Sequence, residues 1–63
     1  MEEIRFTYYQ GDKFWIGHLE EFPDYETQGE FLDELKENLK DIYKELTSGS
    51  IPHVRRVGTL QVA

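Results

Sequence analysis

The sequence predicts one α+β domain over residues 1–63, with the order β-β-β-α-β and one helix on one face of an antiparallel sheet. Two observations predict it. Apolar and polar residues alternate along the first 20 residues, which is typical of half-buried strands. Apolar residues then recur at every third or fourth position between residues 30 and 47, which is typical of an amphipathic helix.

The first two strands are predicted as a hairpin over residues 3–20. Gly11 and Asp12 form a suitable two-residue turn, with glycine in the first position. The turn would pair Gln10 with Lys13 and thereby set the register of the hairpin. The residues that then share the core face are Ile4, Phe6, Tyr8, Trp15, Gly17 and Leu19.

A bend, a third strand, a helix and a last strand are predicted for the rest of the chain. Pro23 ends the pairing of the hairpin, and residues 25–27 suit a short third strand. The apolar stripe predicts a helix over residues 30–47, with Gly49 as its C-terminal cap. Residues 54–62 alternate again and predict a last strand.

The core is predicted between the helix and the sheet. A glycine within a strand often marks the close approach of a bulky element, so we expect the helix to cross the sheet at Gly17. The residues expected to be buried together are Phe6, Trp15, Leu19, Leu35, Leu39 and Ile42.

The opposite face of the hairpin is half apolar, which favours self-association. A contiguous exposed apolar patch usually marks an interface, and a chain of 63 residues without cysteine has little other means of stabilisation. We therefore expect a homo-oligomer, with a two-fold dimer favoured. Docking of a different partner on this face is the alternative. The predicted patch consists of Thr7, Tyr9, Phe14 and Ile16.

Composition excludes several classes of function. The net charge is −6, which disfavours direct nucleic-acid binding because that binding requires neutralisation of phosphates. No apolar run approaches the ~20 residues that span a bilayer, and the N-terminus lacks the features of a signal peptide. A cytoplasmic protein without a membrane partner is therefore expected. With two histidines and no cysteine, we expect no metal and no cofactor.

Most of the chain resembles the HicB-like antitoxin family. The order and spacing of five short segments support the resemblance: residues 17–19, 22–24, 27–30, 32–39 and 51–58. The resemblance implies a partial ribonuclease H-like fold and a non-catalytic protein that binds and blocks a small basic ribonuclease toxin, HicA. Phe31 departs from the family, which has threonine or serine at the start of the helix. The family's second, DNA-binding domain is not found in these 63 residues, so operator binding is not expected.

A basic toxin would meet acidic groups of the bend and the helix, because complementary charge sets the rate and specificity of association. The acids predicted to bind it are Glu20, Glu21, Asp24, Asp33, Glu34, Glu37 and Asp41. The first alternative is a self-associating HicB-like structural protein without a toxin. The second is a ribonuclease H-like nuclease, whose magnesium site would need inward-facing carboxylates. Arg55 and Arg56 are interpreted as charges that discourage pairing at a strand edge.

Overall fold

The computed structural model describes residues 2–63, and within these it has three strands and one helix. The strands form an antiparallel sheet in the order β1-β2-β3, and the helix packs on β2 and β3. The α+β class and the helix on one sheet face are thereby confirmed. The elements are β1 (Phe6–Gln10), β2 (Trp15–Leu19), β3 (Glu26–Gly29) and α1 (Leu32–Thr47).

The hairpin register differs from the predicted one by two residues. Gln10 pairs with Trp15 and not with Lys13, so the two-residue turn was wrong. The loop has four residues and is closed by the Gly11 amide, which donates to the Phe14 carbonyl oxygen at 2.8 Å. Because the shift is an even number of residues, every strand side chain keeps its predicted face.

The observed register gives Phe6 and Tyr8 new cross-strand partners, and Tyr8, which is 46% exposed, now lies opposite Gly17. This register places Phe6 opposite Leu19, so that two core side chains of neighbouring strands lie side by side. The predicted register would have placed Phe6 opposite Gly17, which has no side chain to pack. Cross-strand packing of this kind is what stabilises a sheet.

Two glycines allow α1 to lie close to the sheet. A Cβ atom on Gly17 would lie 3.3 Å from Leu35 Cδ2 and only 2.7 Å from the Thr7 carbonyl oxygen of β1. The predicted close approach of the helix at Gly17 is therefore confirmed. A Cβ atom on Gly29 would lie still closer, 2.6 Å from the Leu35 backbone nitrogen. Gly29, which was interpreted as the residue that breaks the third strand, therefore lets β3 lie against the backbone of α1.

The core lies between α1 and the sheet, as predicted, with two additions, Leu46 of α1 and Phe22. Leu19, Leu35 and Leu39 are buried, and the other three predicted core residues pack against them half-buried. Phe22 is also fully buried, although its segment was interpreted only as a bend. Its amide donates to the Leu19 carbonyl at 2.9 Å, and its own carbonyl accepts from the Tyr25 amide at 3.1 Å. These two successive turns direct the Phe22 ring into the core.

The helix begins at Leu32, two residues later than predicted. Phe31 takes the N-cap position in an extended conformation, and its side chain has no group that accepts a hydrogen bond. Glu34 Oε1 accepts the amide of Glu30 at 3.0 Å, one residue before the N-cap amide that a capping box would use. At the other end Gly49 has a φ of +84°, which confirms it as the residue that ends the helix.

The predicted last strand over residues 54–62 was wrong, because no strand follows α1 within residues 2–63. The Val57 amide donates to the Glu21 carbonyl at 3.1 Å, so this part of the chain is attached to the bend beyond the end of β2. From there the chain forms no helix or strand, and Leu60 and Val62 are 86% and 88% exposed. Apolar and polar residues alternate in this segment, but its backbone does not pair with a strand of the sheet.

Candidate functional site

The seven acids predicted to bind a basic partner form two separate groups. Three lie in or beside the bend after β2, and four lie on α1: Glu20, Glu21 and Asp24, and then Asp33, Glu34, Glu37 and Asp41. The bend borders a cavity that Tyr43 of α1 also lines. Asp33 lies ten residues before Tyr43, or roughly 15 Å along the helix axis. The acids at the start of α1 are therefore far from the bend along the helix axis, whereas Asp41 lies only two residues before Tyr43.

Each acid of the bend is paired with an arginine of the same chain. The pairs are Glu20 with Arg5 (3.2 Å), Glu21 with Arg56 (3.8 Å) and Asp24 with Arg55 (3.3 Å). All six side chains are about half exposed or more, so each pair stabilises the fold by only about 0–1 kcal/mol. The larger effect of these pairs is on the net charge of the bend, because the three guanidinium groups neutralise its three carboxylates.

Two of these arginines also attach the C-terminal part of the chain to the bend. Arg56 lies over the Phe22 ring, with its guanidinium carbon 5.6 Å from the ring centroid. The Val57 amide adds its hydrogen bond to the Glu21 carbonyl. Arg55 and Arg56 were interpreted as charges on a strand edge. That interpretation was wrong, because the strand does not form and both side chains reach back to the bend.

The acids of α1 have a different environment. Asp33, Glu37 and Asp41 are all exposed and repeat every fourth residue, so they follow one side of the helix. Glu37 contacts Lys40 at 3.2 Å. Asn38 lies beside this stripe, and its Nδ2 donates to the Gln28 carbonyl of β3 at 2.8 Å, which fixes the rotation of the helix on the sheet. The stripe is thereby held toward solvent.

The predicted self-association patch is only partly assembled. Tyr9 pairs with Ile16 across the strands, with Thr7 two residues away on the same face. Phe14 lies in the hairpin loop and not on a strand, so its predicted place on the second strand was wrong. A Cβ atom on Gly11 of that loop would lie 3.2 Å from Ile16 Cδ1, so the loop covers part of Ile16. Tyr9, at 55% exposure, is the most prominent apolar group of this face.

An apolar groove of about 160 Å³ runs between β1 and α1. Sequence reasoning did not find this groove, because it arises where α1 packs on β2 and β3 and leaves β1 less covered, which the local pattern does not show. Its lining residues are Ile4, Phe6, Leu19, Lys36, Leu39 and Lys40.

A second cavity of about 320 Å³ lies at the bend, where Tyr43 forms part of its wall. The Tyr43 hydroxyl donates to a Glu2 carboxylate oxygen at 3.3 Å. The negative charge of Glu2, with a smaller contribution from burial, raises the pKa of Tyr43 above its ordinary value. The hydroxyl therefore stays a neutral donor at physiological pH.

Metal ligation and membrane insertion find no support in residues 2–63. No three histidine, aspartate or glutamate side chains of that range are grouped as a metal site would require. The helix that the structure describes is neither long nor apolar enough to cross a bilayer. In comparisons with known proteins, the chain matches no family model, no curated protein and no solved structure.

Proposed function

We propose that the chain is a non-catalytic protein-binding module whose acidic helix face docks a small basic ribonuclease of the HicA type. One observation supports this choice of surface. The acids of the bend are each paired with an arginine, whereas the acidic stripe of α1 (Asp33, Glu37 and Asp41) faces solvent with one lysine contact at Glu37. An external cationic group would therefore gain the most electrostatic stabilisation by binding at the stripe.

Charge complementarity gives the mechanism. A ribonuclease binds RNA through basic groups that contact phosphates. A rigid helix that presents carboxylates one turn apart can occupy the same basic groups and exclude the RNA. Contacts of this kind act mainly on the association rate, and salt weakens them because exposed charges are screened beyond ~8 Å at physiological ionic strength.

The test uses a basic ribonuclease encoded by a neighbouring gene as the probe. The variant Asp33→Lys with Asp41→Lys reverses two charges of the stripe, and Glu37 between them becomes a favourable neighbour of both lysines. We expect at least about tenfold weaker binding, equivalent to ~1.4 kcal/mol, together with loss of ribonuclease inhibition. Calorimetric titration measures the first effect and an RNA-cleavage assay the second.

The matched control is Asp12→Lys with Glu26→Lys, which makes the same change in net charge in the hairpin loop and on β3. It is expected to keep most of the affinity. An equal loss in both variants would show that only overall charge matters. An affinity that does not change with salt would rule out docking on the acidic stripe.

Self-association through the open sheet face is the second candidate function, favoured by the 55% exposure of Tyr9 beside Thr7 and Ile16. If this face is the interface, Tyr9→Asp places a charge in its centre, and light scattering should show a monomer where the original chain is a dimer. Gln10→Asp is the control, since it adds the same charge to the neighbouring residue on the opposite face. A dimer that persists in Tyr9→Asp would exclude this face.

A further inference from the structure

The segment after Val57 is apolar, uncharged and uncovered. Residues 57–63 contain no charged side chain. Val57, Leu60 and Val62 are 55%, 86% and 88% exposed, although aliphatic residues are normally among the most buried. Leu60 and Val62 alternate with Thr59 and Gln61, so an extended strand would place both aliphatic groups on one side. The segment therefore has the composition of a β-strand, although it pairs with no strand of the sheet.

The outer edge of β1 is a sheet edge that lacks a strand. The order β1-β2-β3 leaves this edge without a partner strand among residues 2–63. A free edge offers a row of backbone donors and acceptors to any extended segment that reaches it. On the helix side of the edge lies the apolar groove, with Phe6 and Leu39 among its lining residues and a volume of about 160 Å³. A cavity of about 150 Å³ accommodates a benzene molecule, so the groove has space for an aliphatic side chain.

We infer that residues 58–62 of a second copy of this chain add to the outer edge of β1 and insert Leu60 into the groove. The inference shares self-association with the second candidate function, but it places the contact on a different surface, the outer edge of β1 and the groove on the helix side. Each copy has one uncovered segment and one β1 edge with the groove beside it. In a two-fold dimer, the segment of each copy pairs with the β1 edge of the other copy. Both edges are then covered, and no third copy can add in the same way.

Two observations favour a second copy over the chain's own segment. The own segment is held at the bend by the Val57 amide and by the ion pairs of Arg55 and Arg56. Its side chains reach solvent and do not reach the groove, as the 86% exposure of Leu60 shows. Strand addition to a free edge is a common way for one protein chain to bind another.

The charge of the chain gives this interface a distinctive salt dependence. Two copies with a net charge of −6 each repel one another, whereas the segment that joins them carries no charge. Added salt screens the repulsion, so self-association should become tighter. Docking of a basic partner on α1 should respond in the opposite direction, which separates the two kinds of binding in one titration series.

The first experiment measures the mass in solution by light scattering. We expect twice the 7.5 kDa chain mass for the original chain and a monomer for Leu60→Asp, with helix content unchanged by circular dichroism. Gln61→Asp adds the same charge one residue away, on the other side of the strand, and should remain a dimer.

Three results would overturn the inference: a monomeric original chain at high concentration, a Leu60→Asp variant that stays dimeric, or equal dissociation of both Asp variants. If Leu60→Asp stays dimeric while Tyr9→Asp dissociates, self-association through the open face stands and only the strand exchange fails.

The second experiment identifies the occupant directly, because the chain has no cysteine of its own. Tyr8→Cys places a thiol on β1, where the side chain is 46% exposed, and Leu60→Cys places one on the segment. Mixing the two single variants under oxidising conditions should give a disulfide between them. The double variant should likewise link two chains. If the disulfide of the double variant forms within one chain, the segment of the same chain occupies the groove, and the inference is wrong.

Discussion

Leu39→Ala is expected to lower the free energy of unfolding by roughly 2–5 kcal/mol, the range for truncation of a buried leucine. Leu39 is 3% exposed and packs in the same core cluster as Leu19 and Leu35. At about 0.05–0.15 kcal/mol per residue, the whole chain has only ~3–9 kcal/mol of stability to lose. Urea denaturation followed by circular dichroism should therefore find much of the variant unfolded before denaturant is added.

Phe31→Ala is the control for this prediction. It removes a larger apolar side chain, but one that is 67% exposed at the start of α1. Surface truncations usually change stability by less than about 0.5 kcal/mol. If Leu39→Ala unfolds at the same urea concentration as the original chain, α1 does not present this face to the sheet.

Gly29→Ala is expected to lower the free energy of unfolding by about 1–3 kcal/mol, although it adds only one methyl group. The new Cβ atom would lie 2.6 Å from the Leu35 nitrogen and 3.1 Å from the Glu34 carbonyl carbon. Both are backbone atoms of α1, so no side-chain rotation can relieve the contact. The helix must move away from the sheet, which loosens the packing of Leu35. Thermal unfolding should show the loss as a lower melting temperature.

Gly58→Ala serves as the comparison for Gly29→Ala. A Cβ atom on Gly58 would meet nothing within 4 Å, so the same chemical change should cause no comparable loss. Equal melting temperatures for Gly29→Ala and the original chain would mean that α1 lies farther from β3 than described.

The strands, the helix and their buried faces could be predicted because each depends on a local period. Alternation assigned Phe6 and Trp15 to the core side, and the helical period assigned Leu35 and Leu39 to the same core. The register could not be obtained in this way. A slip of two residues leaves every side chain on its face, so the alternation fits a four-residue loop as well as a two-residue turn.

Features that depend on distant parts of the chain were not predictable. The pairing of Asp24 with Arg55 joins residues 31 positions apart, and nothing in either local sequence marks it. The alternation of residues 54–62 suits a strand, but a strand also needs a free partner within reach. For the candidate site, the acids of α1 were predictable from their spacing. The neutralisation of the bend acids was not.

The order β1-β2-β3 also bears on how fast this protein folds. Each strand lies beside the one that precedes it in the chain, and α1 packs on the two strands made just before it. The two strand pairings therefore close loops of four and six residues, and short loops cost the least entropy to close. Folding rates rise as the mean sequence separation of contacts falls. The part of the chain from Phe6 to Thr47 should therefore assemble in about milliseconds or less, without waiting for the residues that follow it.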